Sequence, residues 1–157
     1  MGACYTVRCT SCDYNDSVET GTGFAGTHWF GLAQTTDLDE REARLIEALE
    51  TFEIPEGHWP AIRGAVLRSD VQSVDFGNAA LVCPICGDFR PGWTLAVYYR
   101  YAMAWVLPQA CINGHVGMMP WSFAADEDPD FHACIRPRCP QCGQPTLTHD
   151  GGIVLFD

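Results

Sequence analysis

Residues 83–87 read Cys-Pro-Ile-Cys-Gly, and residues 139–143 repeat the pattern as Cys-Pro-Gln-Cys-Gly. In each stretch the proline after the first cysteine favours a turn, and the closing glycine can adopt the backbone conformation that ends it. Backbone amides in such a turn can point at the two sulfur atoms. Both stretches are therefore typical of a zinc knuckle, in which two cysteines bind the same metal ion.

A third pair with the same spacing, Cys9 and Cys12, brings the paired cysteines to six of the nine in the chain. The odd total and the absence of a secretory signal argue against a disulfide scaffold. A redox Cys-x-x-Cys normally begins a helix, whereas Asp88–Gly92 and Gln144-Pro145 indicate turns after the two knuckles. The spacing therefore favours structural metal over redox chemistry and predicts a cytoplasmic protein.

Tetrahedral zinc needs four ligands, which two knuckles normally supply together. We expect the first site to join Cys9 and Cys12 to Cys83 and Cys86, with the intervening residues forming a helical insert. A long insert costs little extra loop-closure entropy once its two ends are fixed.

The second site needs two more ligands beside Cys139 and Cys142. The best candidates are Cys111 and His115, since three residues separate them and Gly114 allows the turn. Residues 111–116, Cys-Ile-Asn-Gly-His-Val, resemble the Cys-x-Asn-Gly-His-Val motif of uncharacterised bacterial zinc-ribbon proteins, which a Cys-x-x-Cys-Gly follows. The resemblance implies a site of three cysteines and one histidine, and no particular activity.

Two alternatives stay open at this point. Cys134 can replace His115 and give the second site four cysteines, with His132 and His149 as further candidates. The first site also resembles the rubredoxin arrangement, which would imply iron and electron transfer, although the interval between its two halves is far longer than in rubredoxins.

The remaining sequence predicts an α+β fold, with small antiparallel sheets around two zinc-ribbon-type sites and a helical insertion at about residues 35–70. Asp37 and Glu40 form a capping box at the start of one helix, and a second helix is expected over residues 58–68. Strands are expected at 3–8 and 78–82, and residues 93–107 are expected to form two strands or one long bent strand. The stretch after the first knuckle, through Gly21 to Gly31, is expected to be a loop with a short strand. An acidic loop is expected at 125–130 and a hairpin over 146–156. The expected modules are 1–103 and 104–157.

The first of these helices has an expected inner and outer face. Its apolar residues recur at helical spacing, and charged residues cover the opposite side. The inner face is predicted to hold Leu38, Leu45, Ile46, Leu49 and Phe52, and the outer face Arg41, Glu42, Arg44, Glu47 and Glu50.

Charge narrows the classes of partner. The formal net charge is −11, and all nine basic residues are arginine, so the overall field repels nucleic acids. No apolar run is long enough to span a bilayer. A protein partner, in particular a basic one, is therefore favoured.

No catalytic residue is expected, because both zinc sites have four ligands and the common zinc-enzyme signatures are absent. The sequence thus predicts a structural zinc protein that acts as an interaction or adaptor module. The alternative is a thiol-redox or rubredoxin-like protein.

Overall fold

Helices and strands are mixed along the chain in the computed structural model, which describes residues 2–22, 26–121 and 136–156. Seven strands, three α-helices and one short 3-10 helix (Glu56–His58) are described. The strands and α-helices are β1 (Gly2–Cys9), β2 (Asn15–Gly21), α1 (Gly26–Gln34), α2 (Leu38–Thr51), α3 (Trp59–Val66), β3 (Val71–Val82), β4 (Phe89–Tyr99), β5 (Trp105–Val106), β6 (Met119–Pro120) and β7 (Leu147–Phe156). The predicted α+β class is confirmed.

The sheet has the strand order β5-β4-β3-β2-β1-β7, and β6 pairs with β3. β1 runs antiparallel to β2 and also to β7, from Gly2 opposite Phe156 to Cys9 opposite Leu147. The predicted hairpin over residues 146–156 is therefore wrong. The segment is one strand, because β1 supplies a continuous partner for it across a register irregularity between Cys4 and Thr6.

The chain divides into two compact units. Unit 1 comprises residues 1–23, 78–93 and 108–157, and unit 2 comprises residues 24–77 and 94–107. These divisions differ from the predicted modules 1–103 and 104–157, because β7 pairs with β1 and so places both ends of the described chain in unit 1.

Unit 1 has a core in which cysteines pack together with large side chains. Val7, Val18 and Phe89 are almost fully buried, and Cys9 and Cys139 belong to the same cluster of buried residues. The half-buried side chains packed against it are Tyr5, Cys12, Tyr14, Trp121 and Cys142. The strand that leads into the first cysteine pair thus carries core residues and candidate ligands together.

Unit 2 has an aliphatic and aromatic core of its own. Trp29 is fully buried and stacks on Phe76 with 4.8 Å between ring centroids. Leu45 and Leu49 from α2 and Ile62 from α3 are also fully buried. Burial of side chains of this size stabilises a fold by about 1.5 to 3 kcal/mol each.

The start of α2 follows the predicted capping box, since the Asp37 carboxylate accepts a hydrogen bond from the Glu40 amide at 2.9 Å. The predicted faces are only partly right. Leu38 is 49% exposed, whereas Arg41, expected on the outer face, is 4% exposed.

Arg41 is buried because its guanidinium donates to carbonyls at the ends of two helices. Nε and Nη2 donate to the carbonyl of Thr35, just after α1, at 2.8 and 2.6 Å. Nη1 donates to the carbonyl of Arg68, just after α3, at 2.9 Å. A positive charge at a helix C-terminus also interacts favourably with the helix dipole.

The second predicted helix is present as α3, with Pro60 in its first turn. The helix α1, in contrast, was not predicted. Residues 21–31 were expected to be a loop with a short strand, but α1 occupies Gly26–Gln34. Burial of Trp29 and Leu32 supplies the packing that outweighs the low helix propensity of this glycine-containing segment. The predicted acidic loop at 125–130 lies outside the described residues.

Among the described helices, none is both long enough and apolar enough to cross a membrane.

Candidate metal centres

The terminal cluster consists of Cys9, Cys12, Cys139 and Cys142. β1 ends at Cys9, whose position in the sheet is opposite Leu147, the first residue of β7. The Thr10 amide also donates to the Thr146 carbonyl at 3.0 Å. Pairing of β1 with β7 therefore brings the first cysteine pair against the last one.

Sulfur separations in the terminal cluster fit a tetrahedral metal site. Cys9 Sγ lies 3.6 Å from Cys142 Sγ, and Cys12 Sγ lies 3.6 Å from Cys139 Sγ. Zinc–sulfur bonds of about 2.3 Å at tetrahedral angles place sulfur atoms about 3.8 Å apart. A disulfide would need about 2.05 Å, so the four thiols are not bonded to one another.

The central cluster consists of Cys83, Cys86, Cys111 and His115. Cys83 directly follows β3, and the knuckle closes where its carbonyl accepts the Gly87 amide at 2.8 Å. The Cys111 amide donates to the His115 carbonyl at 2.9 Å. Hydrogen bonds within each short loop thus aim two donors at a common point.

Donor separations in the central cluster are also those of one coordination shell. Cys86 Sγ lies 3.7 Å from Cys111 Sγ. His115 Nδ1 lies 3.4 Å from Cys111 Sγ and 3.7 Å from Cys83 Sγ. In each cluster all four donor atoms lie within 4.8 Å of one another.

Glycine conformations support the knuckle interpretation. Gly87 and Gly143 have φ of 75° and 71°, a region that side-chain-bearing residues rarely adopt. Gly114, between Cys111 and His115, has φ of 79°. The predicted turn role of these three glycines is confirmed.

Hydrogen-bond donors surround the sulfurs of the terminal cluster. The Thr146 hydroxyl lies 3.1 Å from Cys9 Sγ, and the Ser11 amide donates to the same sulfur at 3.3 Å. The Thr146 hydrogen bond lowers the pKa of Cys9 to about 6. The pKa of Cys12 is raised to about 12; a hydrogen bond from the Tyr14 amide lowers it, but burial and the neighbouring thiols outweigh that bond.

The central cluster shows the same contrast between neighbouring thiols. The Asn113 side chain donates to Cys86 Sγ at 3.4 Å and lowers the pKa of that thiol to about 6. Burial raises the pKa of Cys83. Sulfurs this close repel one another when all are ionised, so a divalent cation is the group that would let them share the site as thiolates.

The structure gathers all eight predicted ligands but partners them differently. Cys9 and Cys12 were expected with Cys83 and Cys86, and Cys111 and His115 with Cys139 and Cys142. That partnering is wrong. The arrangement is nested: the first and last ligand pairs along the chain form the terminal cluster, and the two pairs between them form the central cluster. This partnering arises because β7 is the neighbour of β1 in the sheet.

The other sequence candidates divide into two groups. Cys134 and His132 lie outside the described residues, and each cluster contains four candidate ligands among the residues that the structure describes. His149 belongs to neither cluster and packs edge-on against Tyr5 and Trp121. Cys4 is half-buried in β1 and also belongs to neither cluster.

The sequence did not indicate which residues donate hydrogen bonds to the sulfurs, above all Thr146. Its place before Leu147, the β7 residue opposite Cys9, is a consequence of strand pairing, which no motif in the sequence indicated. Four candidate ligand atoms in each cluster match the ligand number of a structural metal site. Both clusters are consistent with zinc-ribbon-like sites.

Comparison of the chain with protein-family models, with curated proteins and with solved structures gave no significant match.

Proposed function

We propose that this protein is a structural zinc protein, with one zinc ion in the terminal cluster and one in the central cluster. The observation that carries the proposal is the meeting of four donor atoms within 4.8 Å in each cluster. Thiolate and imidazole donors in a tetrahedral set favour zinc, and a full set of four protein ligands is typical of a structural site.

Zinc in the terminal cluster would stabilise the core of unit 1 directly. Cys9 and Cys139 are themselves core residues, so a metal bond between them acts where the unit is best packed. A structural zinc site contributes about 10 kcal/mol or more of apparent binding free energy, which in small modules is folding energy.

The zinc ions are proposed to fix a surface for a protein partner. The loops of the central cluster expose three apolar side chains, with Ile85 68%, Ile112 85% and Val116 66% exposed. Each lies in or next to a metal-binding loop, so metal binding would set its position. The net charge of −11 favours a basic partner.

Metal analysis tests the first part of the proposal. Protein purified under reducing conditions should contain two zinc ions per chain, and a strong chelator should accelerate amide hydrogen exchange in β1, β2 and β7. Purified protein with no bound metal and unchanged exchange after chelator treatment would exclude a structural zinc role. Iron in the all-cysteine terminal cluster would instead support the rubredoxin-like alternative.

A binding comparison tests the second part. The double variant Ile85→Asp/Ile112→Asp should retain two zinc ions and lose the partners that the wild-type chain captures from its native cell. The matched control is Leu38→Asp, which changes a 49% exposed leucine in unit 2. Equal capture by the double variant and the control would contradict the adaptor role of the central loops.

A further inference from the structure

Arg138 touches the knuckles of both clusters. It directly precedes Cys139, a ligand of the terminal cluster. Its Nε donates to the carbonyl of Cys86, a ligand of the central cluster, at 3.0 Å. Its Nη1 donates to the carbonyl of Gly143, the residue after Cys142, at 3.0 Å.

The backbone repeats the connection that the side chain makes. The Arg138 amide donates to the carbonyl of Gly87, the residue after Cys86, at 2.6 Å. A Cβ atom on Gly87 would lie 2.7 Å from the carbonyl oxygen of Arg136. The closing turn of the central knuckle therefore lies directly against the segment that enters the terminal knuckle.

From this geometry we infer that Arg138 couples the two metal sites, so that metal in one cluster raises the affinity of the other. This rests on the proposed zinc-binding function and adds a regulation of it. A knuckle with bound zinc has its backbone carbonyls in fixed positions. Arg138 can make both side-chain hydrogen bonds only when the Cys86 and Gly143 carbonyls are both in position. The planar guanidinium suits this role because its donors diverge in a fixed geometry.

The coupling must be reciprocal, since linkage requires each site to affect the other by the same factor. We expect zinc in the terminal cluster to raise the zinc affinity of the central cluster by about tenfold, within the usual range for coupled sites. Both side-chain hydrogen bonds of Arg138 are exposed to solvent, which limits how strongly they can couple the two zinc affinities. The backbone bond to Gly87 would survive substitution of the side chain and leave a smaller residual factor.

Arg90 provides the matched control. Its Nη2 donates to the Ala110 carbonyl at 2.9 Å and lies 3.4 Å from the Gln109 side-chain oxygen, both next to the central cluster alone. Arg90→Met and Arg138→Met therefore remove the same charge from the same unit. Only the second removes a bond shared by the two knuckles.

The experiment is a double-mutant cycle on the full chain, with zinc affinities measured by competition with a chromophoric chelator. Central-site affinity is compared with and without Cys9→Ser/Cys12→Ser, and terminal-site affinity with and without Cys83→Ser/Cys86→Ser. In the wild-type and Arg90→Met backgrounds, removal of either site should lower the zinc affinity of the other by the same factor, about tenfold. With Arg138→Met both losses should fall below about threefold, and Arg138→Lys should lie between.

Native mass spectrometry at one zinc equivalent per chain supplies a readout that needs no cysteine substitution. The singly loaded species should be more abundant in Arg138→Met than in the wild type or Arg90→Met. The coupling would be overturned if Arg138→Met left both the affinity losses and the fraction of chains with one zinc ion unchanged. That result would leave the proposed function intact. Absence of zinc binding in the wild type would overturn both.

Discussion

The sulfur atoms of Cys9 and Cys142 lie 3.6 Å apart although 133 positions separate the two residues along the chain. This approach follows from the antiparallel pairing of β1 with β7, which places Cys9 opposite Leu147. Closing such a long loop costs only slightly more entropy than closing a shorter one. A metal bond at this point would therefore stabilise a contact that the sheet already forms.

Thr146 is predicted to tune the terminal cluster through its hydroxyl, which lies 3.1 Å from Cys9 Sγ. Thr146→Val should lower the zinc affinity of this cluster by about tenfold or more, because residues that hydrogen-bond to metal ligands typically contribute that much. Competition with a chromophoric chelator measures the change.

The control is Thr148→Val. The Thr148 hydroxyl donates to the Arg8 carbonyl at 3.4 Å, and no hydrogen bond joins it to a sulfur of the described residues. If the two valine variants bind zinc equally well, the assigned role of Thr146 is incorrect.

Arg41 is predicted to be a major stabilising residue of unit 2. Arg41→Met should reduce the free energy of unfolding by about 2 to 4 kcal/mol, because it leaves buried carbonyls without their donor. The carbonyls that lose it most directly are those of Thr35 and Arg68. Urea unfolding of the zinc-loaded protein provides the measurement.

Arg44→Met is the matched control on the same helix. The Arg44 side chain is 52% exposed and pairs with Glu40 on the helix surface, so its loss should change the free energy of unfolding by about 0.5 kcal/mol or less. An effect of similar size from both substitutions would argue against the capping role of Arg41.

Gly87 and Gly143 are predicted to respond differently to alanine. Both have positive φ, so each substitution should cost about 1 kcal/mol in backbone strain. Among the described residues, a Cβ at Gly143 has no neighbour within 4 Å, whereas at Gly87 it would meet the Arg136 carbonyl oxygen at 2.7 Å.

Gly87→Ala should therefore destabilise the zinc-loaded protein by at least about 1 kcal/mol more than Gly143→Ala, the usual scale for an overpacked contact. Thermal unfolding at equal zinc concentration compares the two variants. The close approach of the two knuckles would be disproved by a Gly143→Ala variant that is as unstable as Gly87→Ala.

Local signals in the sequence gave correct predictions where short-range chemistry determines the structure. The capping box at Asp37 and the turns at Gly87 and Gly143 need only neighbouring residues. The eight candidate ligands fall within the two clusters for a similar reason, since two- or three-residue spacing places two donor atoms in one turn.

Long-range pairing could not be predicted in the same way. No residue near Cys9 indicates that β1 pairs with β7, and this pairing determines which cysteines lie in the same cluster. Burial of Arg41 also escaped prediction, because its hydrogen-bond partners are the ends of two other helices. Amphipathic periodicity alone assigned this arginine to solvent.

The nested partnering of the four ligand pairs is the central claim, and zinc content of paired cysteine variants tests it most directly. Cys9→Ser/Cys139→Ser removes two ligands from the terminal cluster and should leave one zinc ion per chain. Cys9→Ser/Cys83→Ser removes one ligand from each cluster and should leave none. The reverse result, with zinc retained only by Cys9→Ser/Cys83→Ser, would contradict the nested arrangement and restore the sequential one.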